Sequence, residues 1–376
     1  MAGDLTPGSQ EPAAPTASLT EDAPDPRAPT SRHQARRARS LRRRRVLAGA
    51  VALGLLVLGF VAWFLFEAFP IGGSGRPVVF QVVPGESMSD VTSTLAAKGV
   101  IGSTLAFRID LAVMGTPSVA AGWYQLDQSS SFSTVRGVLA SGPNVAVLPV
   151  ITGETTHEMA LSLASSEGTQ FATSFLSIVR DPSGVVHSPY QPTATTPLEG
   201  LLAPGLYVLP SGTTPASLLT EMAAKFVPRA IGQGLYPSTR AHGLDAYQLI
   251  TVASIVEKEG YLARNMPPVA TVIYNRLARG MPLQMDATVE YAINQDGGTV
   301  THATEQIQSP YNTYLNLGIT PTPICVPSTE AIDAALHPAS GQWLYFTLID
   351  HAGTLAFADT FAEQLANEQL AAERGL

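Results

Sequence analysis

The chain has 376 residues, 45% hydrophobic and only 14% charged, with 32 Gly and 29 Pro; this excludes both a mini-scaffold and wholesale disorder. Its single cysteine, Cys325, excludes an intramolecular disulfide framework and CxxC zinc ligation. The net charge of −8 hides an asymmetry: residues 1–45 carry nine Arg against five acids, whereas residues 67–376 carry 13 bases against 25 acids.

Residues 1–31 are rich in Ala, Pro, Thr, Ser and Asp. With the Arg-rich stretch up to Arg45 they read as a disordered basic tail (1–45). Val46–Phe66 follows, 21 residues without a charge, and at 1.5 Å per residue it spans about 32 Å, the thickness of a hydrocarbon core. It reads as an uncleaved single-pass membrane helix, and a membrane segment directly after the Arg run argues against nucleic acid as its partner. Eight Arg between Arg32 and Arg45 place the N-terminus in the cytoplasm and the rest of the chain outside. Residues 67–76, with Gly72-Gly73-Ser74-Gly75, form a flexible linker.

The expected fold class is α+β. A first unit, 77–143, starts with the β-branched run Val78–Val83, turns at Pro84-Gly85 and continues into a helix capped by Ser87 or Ser89. A helix over Ser103–Met114, a strand at Gly122–Leu126 and a helix ending near Ser141 complete it. The second unit, 144–376, has a strand at Val145–Ile151, a helix at Thr155–Leu163 and a turn-rich stretch over Pro189–Pro210. Leu244–Glu259 is a long helix closed by Gly260 in left-handed geometry. The next starts at Asn265 with Pro267 and Pro268 in its first turn and stops at Gly280, and Asp286 caps a short helix through Ile293. Trp343–Ile349 and Thr354–Ala358 form a hairpin around Asp350–Gly353, and a last helix begins at Thr360.

His157-Glu158-Met159-Ala160-Leu161 begins like a zinc-protease HExxH but ends in Leu, so the second ligand is missing. No GxSxG elbow or GxxxxGK[ST] loop is present. The informative stretch is Ala253–Gly260. At 100° per residue Glu257 extends the stripe of Ala246, Ile250 and Ala253, while Glu259 lies about 160° away. Burial on that stripe and the negative end of the helix would raise the Glu257 pKa toward that of a general acid. The alternative is an ordinary last-turn Glu satisfied by Arg276, and the residues alone leave both open.

Read together, Phe80–Val91, Leu198–Tyr207, Ala253–Glu259, Val272–Leu277, Gly280–Val289 and Ser309–Tyr314 make the chain resemble the YceG-like endolytic murein transglycosylases. The resemblance implies a LysM-like first unit and a catalytic second one. It implies Glu257 as the catalytic acid, with Gln284, Asp286, Tyr311, Asn312 and Tyr314 lining a glycan cleft. Glu199 is a further candidate contact, or a turn-stabilising carboxylate; Asp286 is a helix cap, a site residue or both; Tyr311 and Tyr314 are sugar platforms or half-buried surface rings. Glu259, Asn275 and Arg276 are supporting residues. The implied substrate is the glycan strand of peptidoglycan, with the membrane as anchor, peptidoglycan synthases as candidate partners, and neither cofactor nor metal. The chain departs from the family at Leu201 and Ala203, where aromatics are usual, at Gly205 and Leu206, and at Thr152 and Ser328. It departs again at Leu355 and Gln364, which stand where the family has two histidines. A hydrolase on the same cleft, using Asp286 to direct water, and a non-catalytic wall-binding protein are the rival functions.

Overall fold

The computed structural model describes residues 31–70, 75–260, 262–295 and 301–376. The tail residues 1–30 and the linker residues 71–74 lie outside the described residues. The chain divides into two units, residues 1–67 and 68–376. The first holds nearly all of helix α1 (Ser31–Ala68), in which Arg42–Ala68, 27 residues, is long and apolar enough to cross a membrane. The basic stretch from Ser31 to Arg45, expected to be disordered, is helical instead. Arg, Ala and Leu are strong helix formers, and the apolar segment after them supplies a nucleus from which the helix propagates backward.

The second unit begins with strand β1 (Pro77–Val82), followed by helices α2 (Met88–Ala97) and α3 (Thr104–Met114), strand β2 (Gly122–Asp127) and helix α4 (Phe132–Ser141). The strands pair antiparallel with Phe80 opposite Tyr124, whose rings stack at 5.6 Å. The hydroxyls of Ser87, Ser103 and Ser131 accept from backbone N–H groups in the first turns of the three helices, and Ser87 is one of the two caps the sequence offers for α2.

A second core forms around strands β3 (Ala146–Val150) and β4 (Gly205–Leu209), which pair antiparallel, helices α5 (Thr156–Ser166) and α6 (Thr169–Arg180) between them, and helix α7 (Pro215–Gly232) after them. A two-residue hairpin, β5 (Arg240–Ala241) and β6 (Leu244–Asp245), then leads into helix α8 (Ala246–Gly260), the centre of the largest core. Helices α9 (Met266–Ala278), α10 (Asp286–Ala292) and α11 (Thr329–Leu336) surround it. Strands β7 (Tyr345–Leu348) and β8 (Leu355–Ala358) and helix α12 (Phe361–Glu373) close the chain. The mixed helix and strand content is the expected α+β class.

Helix α8 corrects the stripe argument. Thr251, Val252, Ser254, Ile255 and Val256 are buried along with Ala246, Ile250 and Ala253. A helix packed on every side has no single stripe to decide which side chain faces a core. Gly260 is required for a different reason than expected: its φ is not positive, and a Cβ there would meet Met266 Cγ at 2.7 Å. Leu201 and Ala203 are core residues, 0% and 1% exposed.

Candidate active site

At the C-terminal end of α8 the chain emerges from the core, and Glu257, Lys258 and Glu259 are each half-buried. The two carboxylates diverge, as their angular separation requires. Glu257 turns toward α11, where its Oε2 accepts from the Ser328 backbone N–H at 2.8 Å, one residue before that helix starts. Its side chain also passes close to Gly153, where an added Cβ would lie 3.9 Å from Glu257 Cγ. Glu259 turns toward α10, where its Oε1 accepts from the Ala287 N–H at 3.2 Å.

A cleft of about 390 Å³ opens on the Glu259 side. It is lined by Glu259, Arg276, Gln284, Asp286 and Tyr314 from α8 to the Tyr314 loop, and by Tyr345, Phe346, Phe361, Gln364 and Glu368 from β7 and α12. Glu257 does not line it. Glu259, expected as a support, thus lines the cleft, and Glu257, expected as the catalytic acid, turns to α11: α8 is buried nearly all round, and the cleft is formed by segments remote in sequence, α10 and α12 among them.

Electrostatics follow the same geometry. Burial pushes the Glu259 carboxyl up to about 7; the Ala287 hydrogen bond opposes this, and the neighbouring Asp286 and Glu290 carboxylates reinforce it. Asp286 is the first residue of α10 and its side chain does not cap that helix, contrary to the expected N-cap. Its Oδ1 instead accepts from the Tyr314 hydroxyl, whose own pKa is raised by burial first and by this bond second.

Arg276 lines the cleft, and its hydrogen bonds among the described residues go to carbonyls and to the Gln284 amide. Its guanidinium donates through Nε to Leu344 O at 2.6 Å, and through Nη1 to Leu283 O at 2.7 Å and Gln284 Oε1 at 3.2 Å. It thus ties the Gln284 loop, where Gln284 has φ +50°, to the chain entering β7. Asn275 anchors the same stretch by donating to Gly341 O and Trp343 O.

Three expected cleft residues lie elsewhere. Asn312 is 0% exposed; it donates to Glu305 O and Ile307 O and accepts from the Tyr314 N–H, folding the loop that delivers Tyr314. Tyr311 packs on Tyr291 with ring centroids 4.9 Å apart and bonds Thr322. Glu199 is buried, accepting from the Thr156 N–H and hydroxyl at the start of α5 and from the Tyr291 hydroxyl. Polar side chains in a Gly/Pro-rich segment are as readily recruited to satisfy buried backbone as to meet a ligand. Sequence reasoning missed Tyr345, Phe361 and Glu368; Phe361, Gln364 and Glu368 recur at helical spacing, a pattern that marks one face of α12.

Burial also pushes Glu199 up to about 7, against its three hydrogen bonds. Its native pKa lies above the unfolded value, so its contribution to stability is fully present below about 4.5 and is lost as pH rises through about 7. The expected loss is on the order of 3 kcal/mol between pH 4.5 and 8. Glu199→Gln should flatten that decline in a pH series of denaturation curves; an unchanged slope would contradict the assignment.

The profile of the YceG-like family matches residues 80–370. The chain belongs to the YceG-like family. Two relatives, each named endolytic murein transglycosylase, are 29% identical to it. The protein from Streptococcus pneumoniae serotype 2 (strain D39) aligns over 329 residues, 79% of this chain and 59% of its own length; that from Bacillus subtilis (strain 168) aligns over 303 residues, 77% and 83%. The chain thus spans about three-fifths of the pneumococcal relative. A crystal structure of a yceG-like protein from Listeria monocytogenes, 26% identical, superposes over 78% of this chain and 99% of its own with a TM-score of 0.49.

Proposed function

We propose that the chain is a membrane-anchored endolytic transglycosylase, cutting the MurNAc–GlcNAc β-1,4 bond inside nascent peptidoglycan strands, with Glu259 as its catalytic acid. The observation that carries this reading is a carboxyl raised to about 7 and facing a cleft with Gln284, Asp286 and Tyr314. Membership of a family whose relatives bear the transglycosylase name supports the substrate class.

Near neutral pH a Glu259 of this kind holds its proton in a substantial fraction of molecules and delivers it to the glycosidic oxygen as the C1–O bond breaks. The Asp286 side chain, held by the Tyr314 hydroxyl, lines the same cleft, where positive charge develops on the sugar. Glu259, now a carboxylate, takes the proton from the C6 hydroxyl as that oxygen closes on C1. The bond broken and the bond formed balance without water, giving a 1,6-anhydro-MurNAc end. The internal attack has a high effective molarity once the ring is suitably puckered. Because the acid must be protonated, kcat/KM should fall with a single-proton slope as pH rises above about 7; a rate still rising between pH 7 and 9 would contradict this.

The LysM-like reading of residues 77–143 is supported by the antiparallel pairing of β1 with β2, which enclose α2 and α3 in the chain. Helix α1, with Arg42–Arg45 entering its apolar stretch, retains the N-terminus in the cytoplasm and exports the rest. A periplasm- or exterior-active reporter should work when fused after Leu376 and fail at the N-terminus, and the opposite result would overturn the topology. The function is tested by incubating the full-length chain in detergent with purified glycan strands: strands should shorten internally, and strands of unchanged length would contradict it. The hydrolase reading keeps one specific support, the presence of Asp286 in the same cleft; its product differs.

A further inference from the structure

A buried polar atom without a partner costs about 1–3 kcal/mol, so each one requires an explanation. Among the described residues, such side-chain atoms belong to Asp110, Arg136, Tyr247 and Gln364. Asp110 and Arg136 face each other as an ion pair at 2.7 Å, and Tyr247 belongs to the core around α8. Gln364 lines the cleft and is 8% exposed.

The orientation of its amide is set by its surroundings. Nε2 faces the Thr347 hydroxyl, Phe346 O and Glu368 Oε1, the last at 3.0 Å. Turning the amide over would bring its carbonyl against the Glu368 carboxylate, so Oε1 remains the end without a donor. The same wall carries aromatic surface: Phe361 is 60% exposed, and its ring lies 6.0 Å from that of Tyr345. Tyr345 is itself steadied by the Arg276 guanidinium, 5.1 Å from its ring centroid. An exposed and a half-buried ring beside a shielded hydrogen-bond acceptor suit a pyranose bearing an amide: apolar sugar faces pack on rings, and an acetamido N–H is a donor that competes poorly for water.

We propose that β7 and α12 form a sugar subsite in which Phe361 and Tyr345 pack against one pyranose and the Gln364 carbonyl accepts from its 2-acetamido N–H, making Gln364 a determinant of specificity for N-acetylated strands. The inference rests on the glycan-cleaving reading of the cleft. It concerns binding, leaving proton transfer to Glu259.

The test uses full-length chain in detergent carrying Glu259→Gln, so that bound strands stay intact, and measures Kd for purified N-acetylated strands and for the same strands after chemical de-N-acetylation. This parent should prefer acetylated strands by about tenfold, and adding Gln364→Leu should erase the preference by weakening acetylated binding alone. Adding Phe361→Ala, at an exposed position that leaves the fold intact, should weaken both ligands about fivefold. A Gln364→Leu variant with native thermal unfolding and an undiminished preference would overturn the subsite while sparing the function. If Gln364→Leu does not fold, unchanged affinities in Phe361→Ala overturn the subsite on their own. A parent that binds neither strand overturns the function, and the subsite with it.

Discussion

Replacing Glu259 by Gln is expected to lower kcat for strand cleavage by about 10²- to 10⁴-fold, the usual contribution of a positioned general acid, while leaving the protein folded. The amide keeps the volume and can still accept from the Ala287 N–H, but it has no proton to give. Stability separates this from structural damage. The folded-state pKa of Glu259 is raised to about 7, so ionisation above that pH destabilises the native chain, and a neutral Gln escapes that cost. The variant should therefore melt at the same temperature as the wild type or higher at pH 8. Glu257→Gln should behave in the opposite sense, keeping more than about a tenth of the activity and losing about 1 kcal/mol through its weakened bond to the Ser328 N–H. An inactive Glu257 variant beside an active Glu259 variant would return catalysis to the α11 side of the helix.

Arg276→Met should be the most destabilising single change at the site, costing about 3–5 kcal/mol. The thioether fills part of the space but leaves the carbonyls of Leu344, Leu283 and Pro282 without the guanidinium that now satisfies them. Cleavage should fall with stability, because the same group holds Gln284 at the cleft and steadies Tyr345. Lys at this position should not rescue: its compact ammonium cannot reach carbonyls on both sides as a planar fork does. Urea denaturation read beside cleavage rate checks this, and a Met variant within 1 kcal/mol of wild type would contradict the tethering role.

Local patterns in the sequence carried much of the fold. A β-branched run located β1, alternation located the hairpin of β7 and β8, and a Ser cap located the start of α2. The choice between Glu257 and Glu259 was not legible. Both end one helix, and what distinguishes them is supplied from elsewhere in the chain: Ser328 meets the first, whereas Ala287 and the α12 wall meet the second. Asn312 and Glu199 misled for a related reason, since a polar side chain in a loop gives no sign of whether it turns inward to backbone or outward to a ligand. The partners of Arg276 were not legible either: the sequence offers Glu257 as its acceptor, whereas the fold supplies the carbonyls of Leu344 and Leu283. The helical continuation of the basic segment into α1 was hidden by its charge, which suggests disorder although its residues favour helix.

The most direct test of the account is mass spectrometry of the new strand ends made by the full-length chain and by its Glu259→Gln variant. The wild type should leave 1,6-anhydro-MurNAc ends, one water lighter than hydrolysis would give, and the variant should leave the strands uncut. Reducing ends as the main product would show that a second carboxylate, Asp286, directs water in this cleft, contradicting the single-acid mechanism.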